Sequence, residues 1–199
     1  FSEKGTNTVI ESATVNVEVN AVGGSNTANG ATCAMYGGIV GFATAINAAD
    51  ASIVIIKNCV NNGNMYVTLG RCSGIVATAN TGVTIEGCTN NGDQINKIAN
   101  GRLGNITCNF AHYCKMIDCV NNGDLDATAE GYKGTVGGLL ALTGSDYCIE
   151  ITGGGNYGTI KTLSTAGKYV GLLWANHNKK TPTSGLVASG RLFIDGVEV

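Results

Sequence analysis

Few residues of this chain are of types that do chemistry. Asp93 and Asp124 each follow an Asn-Asn-Gly triplet, and Asp118 and Asp126 lie close by in sequence. Two carboxylates held about 5 to 9 Å apart can cleave a glycosidic bond, and stacking on neighbouring β-strands would bring Asp93 and Asp124 within about 5 Å. Asp93, Asp118 and Asp124 are therefore the catalytic candidates if the chain is a polysaccharide lyase or hydrolase. Against that, the position after the triplet is Asn64 in one copy and Thr159 in another, as expected of solvated corner residues. A calcium ladder is the other chemistry acids suggest, but the Gly-Gly-x-Gly-x-Asp nonapeptide that carries it is missing. His112 and His177 have no ligand-like partners and Cys-x-x-Cys does not occur, so neither a metal site nor a cofactor is expected.

Arg71 and Arg102 each follow a glycine, 31 residues apart, with Lys133 one period further on. Stacked like charges repel unless an anion bridges them, so a sulfated or acidic glycan is one reading and a solvated face the other. Lys57 and Glu86 read as an ordinary pair across adjacent coils. Tyr132, Tyr157, Tyr169 and Trp174 could make a sugar-stacking platform, although Trp174 sits in an otherwise aliphatic series and reads as core.

Elements must hold these groups, and composition limits which elements. The chain has 199 residues, 44% of them hydrophobic and only 13% charged, with a net charge of -2. That is enough for one core, and a single domain is expected over 1–199. The low charge excludes a disordered tail. The absence of a basic face argues against nucleic acid, and apolar runs such as Gly137 to Leu142 are far too short to insert in a membrane. With no basic and apolar leader at its start, the chain reads as lacking a signal peptide or as already processed.

Self-comparison organises the rest. The segment Ile56-Lys57-Asn58-Cys59-Val60-Asn61-Asn62-Gly63-Asn64 returns at Ile85 to Asp93, at Met116 to Asp124 and, decayed, at Ile151 to Thr159. A second element, Gly37-Gly38-Ile39-Val40-Gly41, alternates with it near Gly74, Asn105, Gly138 and Gly171. The first Asn recurs at 61, 90, 121 and 156. A period of about 30 residues made of two or three short strands is the pattern of a solenoid. Asn-Gly tolerates left-handed backbone angles, so each triplet is read as a sharp corner. Coiling then places Ile56, Ile85, Met116 and Ile151 in one interior column and Cys59, Cys88, Cys119 and Gly154 in another. Asn61, Asn62, Asn90, Asn91, Asn121, Asn122 and Asn156 are expected to stack as a corner ladder of bonded amides.

The column cysteines read as small buried apolar groups. Repeat alignment sets Cys114 opposite Ile149 and Cys148 opposite Tyr113, which makes Cys114 and Cys148 a candidate diagonal disulfide. Asn105-Ile106-Thr107 is an N-glycosylation sequon, useful to a secreted eukaryotic protein only if that corner is exposed. At the ends, Ala13 to Asn20 alternates cleanly and reads as one strand with Val15, Val17 and Val19 on a single face. Residues 1–36 are expected to be an N-terminal strand that either caps the solenoid or serves as an assembly arm, 37–174 the repeats, and 175–199 a C-terminal loop and strand.

The alternation of Gly-Gly-Ile/Val-Val-Gly with Ile-x-Asn-Cys-x-Asn-Asn-Gly-Asn/Asp resembles the GLUG-type and related Gly/Asn-rich repeats of secreted and surface proteins, over about Gly37 to Trp174. The resemblance implies a parallel β-helix, right-handed, of about four to five coils, and an adhesin-like role. The expectation is an extracellular or cell-surface, non-enzymatic structural or adhesive subunit. Its partners would be further copies of itself, joined head-to-tail through terminal strands into a filament, or a surface glycan or protein. A glycan-active enzyme or glycan-binding module is the alternative.

Overall fold

The computed structural model describes residues 7–21, 34–45, 53–68, 70–96, 101–143, 150–166, 169–176 and 182–199. The chain winds as a parallel β-solenoid. Its first coil runs through β1 (Thr8–Glu11), β2 (Thr14–Val15), β3 (Val19–Ala21), β4 (Met35–Gly37) and β5 (Val40–Ala43). The second repeats that order as β6 (Val54–Lys57), β7 (Val60–Asn61), β8 (Met65–Val67), β9 (Arg71–Ser73) and β10 (Val76–Thr81). The third is β11 (Val83–Glu86), β12 (Thr89–Asn90), β13 (Gln94–Asn96), β14 (Arg102–Gly104) and β15 (Thr107–His112). The fourth is β16 (Lys115–Ile117), β17 (Val120–Asn121), β18 (Leu125–Ala127), β19 (Thr135–Gly137) and β20 (Leu140–Thr143). The fifth is β21 (Glu150–Thr152), β22 (Gly155–Asn156), β23 (Ile160–Thr162), β24 (Val170–Gly171) and β25 (Trp174–Asn176). A partial coil follows as β26 (Thr183–Ser184), β27 (Val187–Ala188) and β28 (Leu192–Ile194), closed by β29 (Val197–Glu198).

Each coil thus contributes one strand to each of five sheets, numbered 1 to 5 here in chain order, so that sheet 1 is β1-β6-β11-β16-β21-β26 and sheet 3 is β3-β8-β13-β18-β23-β28-β29. Five strands per coil replace the two or three read from sequence, because several are only two residues long and carry no periodicity of their own. Among the described residues all pairings are parallel except β28 with β29. No helix among the described residues is long and apolar enough to cross a membrane.

The interior is a narrow two-part core. Ile56, Ile85, Met116 and Ile151 pair coil on coil as expected and are buried with Cys59, Cys88 and Cys119. The second part gathers Met65, Leu103, Leu125, Tyr132, Val136 and Ile160 under sheets 3 and 4. Corner geometry departs from expectation. None of the triplet glycines Gly63, Gly92 and Gly123 has a positive φ; the left-handed residues are instead Ser12, Asn58, Gly87, Asp118 and Gly153, just before the Cys column. The triplet glycines are required for closeness, since a Cβ on Gly92 would lie 2.0 Å from the Gly63 carbonyl oxygen and one on Gly123 2.1 Å from that of Gly92.

Both ends also differ from the reading. Residues 13–20 are not one strand: β2 and β3 flank a corner at which Val15 pairs with Asn61, Asn16 accepts from Asn62, and Val17 is 65% exposed. Val15-Asn16-Val17 is a degenerate triplet, unrecognisable once its glycine and inner amide are replaced. At the other end, 182–199 continue the winding: Gly155 pairs with Val187 and Asn156 with Ala188, so the expected loop ends by Pro182, with 177–181 outside the described residues. In the second motif, Gly171 aligns with Gly137 rather than with Gly138.

Candidate functional site

The polar residues converge on two parts of the surface: the corner between sheets 2 and 3, and the bend between sheets 4 and 5. Three ladders run along the first. Innermost, the Nδ2 group of Asn61 donates to Asn90 Oδ1 at 2.8 Å, Asn90 to Asn121 at 2.8 Å, and Asn121 to Asn156 at 2.7 Å. Each amide also donates to the carbonyl two residues on, as Asn121 does to Gly123 at 2.7 Å, and all four are buried. Outside it, Asn122 donates to Asn91, Asn91 to Asn62 and Asn62 to Asn16, all exposed. Tyr157 takes the next place, 48% exposed.

The third ladder holds the catalytic candidates. Asn64 Oδ1 accepts the Asp93 N–H at 2.9 Å, Asp93 Oδ1 the Asp124 N–H at 2.8 Å, and Asp124 Oδ1 the Thr159 N–H at 2.8 Å. Carboxylates and an amide thus do the same work here, capping the backbone of the next coil. Asp118 is not with them. It occupies the exposed left-handed corner between β16 and β17. Asp126 is closer: with Asp93, Asp124, Ile95 and Lys161 it lines a cavity of ≈ 160 Å³ on the outer face of sheet 3. A neighbouring cavity of ≈ 230 Å³ shares Lys161 and adds Thr128, Thr162, Phe193 and Gly196. The β28–β29 hairpin bounds it, tied by Arg191 to Glu198 at 2.6 Å and by the Arg191 guanidinium 4.7 Å over the Phe193 ring. The Arg191 side chain holds the Glu198 carboxyl below the usual range. Among the described residues, no group of three or more His, Cys, Asp or Glu side chains is placed to hold a metal ion.

At the second place the arginines stack in register, Arg71 opposite Arg102. The register then passes to Thr135, not Lys133, because the stretch before β19 is longer than those before β9 and β14. Met35 lies on the other side of Arg71. Sheet 5 folds sharply back beside this column, since a Cβ on Gly104 would lie 2.2 Å from the Thr107 carbonyl oxygen. The facing column is Phe42, Thr78, Asn109 and Leu142. Arg71 crosses the bend and donates from Nη1 to Thr78 Oγ1 at 3.1 Å. Its Nε is buried without a hydrogen-bond partner, and so is the hydroxyl of Ser73 two residues on. Lys57 pairs in register with Glu86 but makes its ion pair with Glu11, at 3.1 Å.

The remaining candidates are interior. Asn105 is fully buried and its Nδ2 donates to the Gly123 carbonyl at 3.2 Å; the sequon is inaccessible to glycosylation in the folded chain because its corner packs against the inner amides. Gln94 and Asn105 lie side by side, and with the Gln94 nitrogen facing the Cys72 carbonyl at 3.0 Å its oxygen accepts from Gly74 N–H at 2.8 Å. Cys114 has a free, buried thiol directed at the Ala79 and His112 carbonyls; its candidate partner Cys148 lies outside the described residues. Tyr132 is buried with its hydroxyl donating to Gly101 at 3.1 Å, so it forms no surface platform, and Trp174 packs against the first core. The bend with its orphaned Nε and hydroxyl was not legible in sequence, because Ser73 stands where other copies carry glycine. Compared with protein-family models, curated proteins and solved structures, the chain gives no match.

Proposed function

We propose that the protein is a non-enzymatic structural or adhesive subunit of an extracellular or cell-surface assembly, a stiff β-helical rod whose faces and ends make its contacts. The observation that carries this reading is the commitment of the corner polar groups to inter-coil bonds: the Asp93 and Asp124 carboxylates each accept a backbone N–H from the next coil, in the same way as Asn64. Groups used in this manner stiffen a rod. The GLUG-like repeats point to the same role.

Head-to-tail association is part of the proposal, because β1 to β5 at one end and β24 to β27 at the other each have a single sheet neighbour among the described residues. An unpaired edge templates a further strand. At the two ends of β1, the N–H groups of Thr8 and of Ser12, the residue after the strand, bond to the Ile53 and Lys57 carbonyls, so alternation aims those of Val9 and Glu11 at the open edge. Electron microscopy and light scattering over a concentration series should show filaments that Val9→Pro abolishes without lowering the melting temperature. Monomers at every concentration would defeat head-to-tail association. Release of reducing ends from neutral or acidic glycans, lost in Asp124→Asn, would defeat the non-enzymatic reading.

A further inference from the structure

The bend between sheets 4 and 5 carries features that a rod does not need. Arg71 and Arg102 stand opposite each other on adjacent strands, one strand spacing of about 4.8 Å apart. Arg71 spends its Nη1 on Thr78, which leaves the Nε–Nη2 edge of the guanidinium, the edge that grips an oxyanion with two parallel hydrogen bonds. The Nε on that edge is buried and has no partner. Ser73 points to the same side of β9 as Arg71, two residues on, and is 0% exposed with an unpartnered hydroxyl. Two unsatisfied donors on the same side of one strand, with a second arginine opposite on the next strand, call for an acceptor, since buried polar groups in folded proteins are nearly always bonded. An oxyanion supplies acceptors and charge together. The surroundings fit a sugar acid: Asn109 stacks on Thr78, Thr135 continues the arginine column, and Phe42, 48% exposed, pairs with Thr78 from the first coil, offering aromatic surface to a pyranose ring.

We propose that Arg71, Arg102 and Ser73 form an oxyanion site that takes a carboxylate or sulfate group of an acidic polysaccharide. This rests on the adhesive reading above and names its ligand class. The site would anchor the rod to an anionic glycan coat, with Arg71 swinging its free edge onto the anion while Ser73 donates from beneath.

The test measures retention of the full chain on immobilised polygalacturonate, dextran sulfate and unmodified dextran at physiological salt. Binding is expected to one or both polyanions and not to dextran, and the two polyanions distinguish a carboxylate ligand from a sulfate one. Arg71→Gln and Arg102→Gln should each weaken it about 10-fold or more, as loss of a charge-assisted bidentate contact does. Lys161→Gln, the same charge change on sheet 3, should leave it unchanged. Ser73→Ala should weaken binding about 3-fold while leaving the melting temperature equal or higher, because it removes a buried hydroxyl that has no partner in the free protein. If the arginine variants fail to fold, Ser73→Ala decides the matter. No polyanion binding, equal loss in Lys161→Gln, or full binding by Ser73→Ala and the arginine variants would overturn the site. Cleavage of a bound polyanion would instead overturn the non-enzymatic reading and leave the site standing.

Discussion

Stability in this chain depends on single amides. Asn121 receives from Asn90, donates to Asn156 and closes onto its own Gly123 carbonyl, all out of solvent, so Asn121→Ala strands polar groups above and below it. The expected cost is about 2 to 4 kcal/mol, whereas Asn122→Ala, which removes an exposed rung, should cost under about 1 kcal/mol. Chemical denaturation of the two variants measures this directly, and equal losses would show that the inner ladder adds nothing. The thiols make a second residue-scale case. Burial pushes the Cys114 thiol up to about 11 and that of Cys108 to about 12, and raises Cys72 well above its ordinary value. At pH 8 these three should resist alkylation in the native protein and react fully in denaturant, as peptide mass mapping would show; native labelling of any of them would mean that its coil opens readily.

At the scale of elements, close approach of coils decides which glycines matter. A Cβ on Gly123 would fall 2.1 Å from the Gly92 carbonyl oxygen, whereas one on Gly131, at φ +70°, would meet nothing within 4 Å. Gly123→Ala should therefore cost more than about 3 kcal/mol, and Gly131→Ala only about 1 kcal/mol for its backbone strain. Thermal melts of both variants test this, and similar losses would mean that the coils can spread to admit a methyl group. The same closeness explains why Gly74 faces Asn90 and Gly138 faces Asn156 across the core: a Gly-rich bend on one wall makes room for the amides of the other.

For the whole molecule, stacking means that each coil is held by its neighbours alone. The middle coils, through β11 to β20, contain the side chains of Ile85, Leu103, Phe110, Met116, Leu125 and Leu140, each at 0–1% exposure, while the described residues from 182 to 199 are all exposed or intermediate. Hydrogen exchange should therefore be slowest at the amides of β11 to β20 and progressively faster towards β1 and β28. A uniform protection profile would show instead that the rod opens only as one unit. Among the described residues the β28–β29 hairpin is the one antiparallel pairing, and it covers the β28 edge of sheet 3, whereas β24 to β27 each keep a single sheet neighbour.

The repeat period, the interior columns of Ile56 and Cys59 and the stacking of the Asn triplets are determined by sequence alone, because each rests on local spacing that every copy restates. The tertiary structure alone decided the rest. Val15-Asn16-Val17 serves as a corner without an Asn-Asn-Gly triplet because β6 and β7 hold it in register. The carboxylates of Asp93 and Asp124 became backbone caps, and Asn105 lost its exposure, because inter-coil distance rather than residue type sets their partners. The juxtaposition of Arg71, Ser73 and Thr78 arises from a bend between two sheets, and a bend joins residues that periodicity keeps apart.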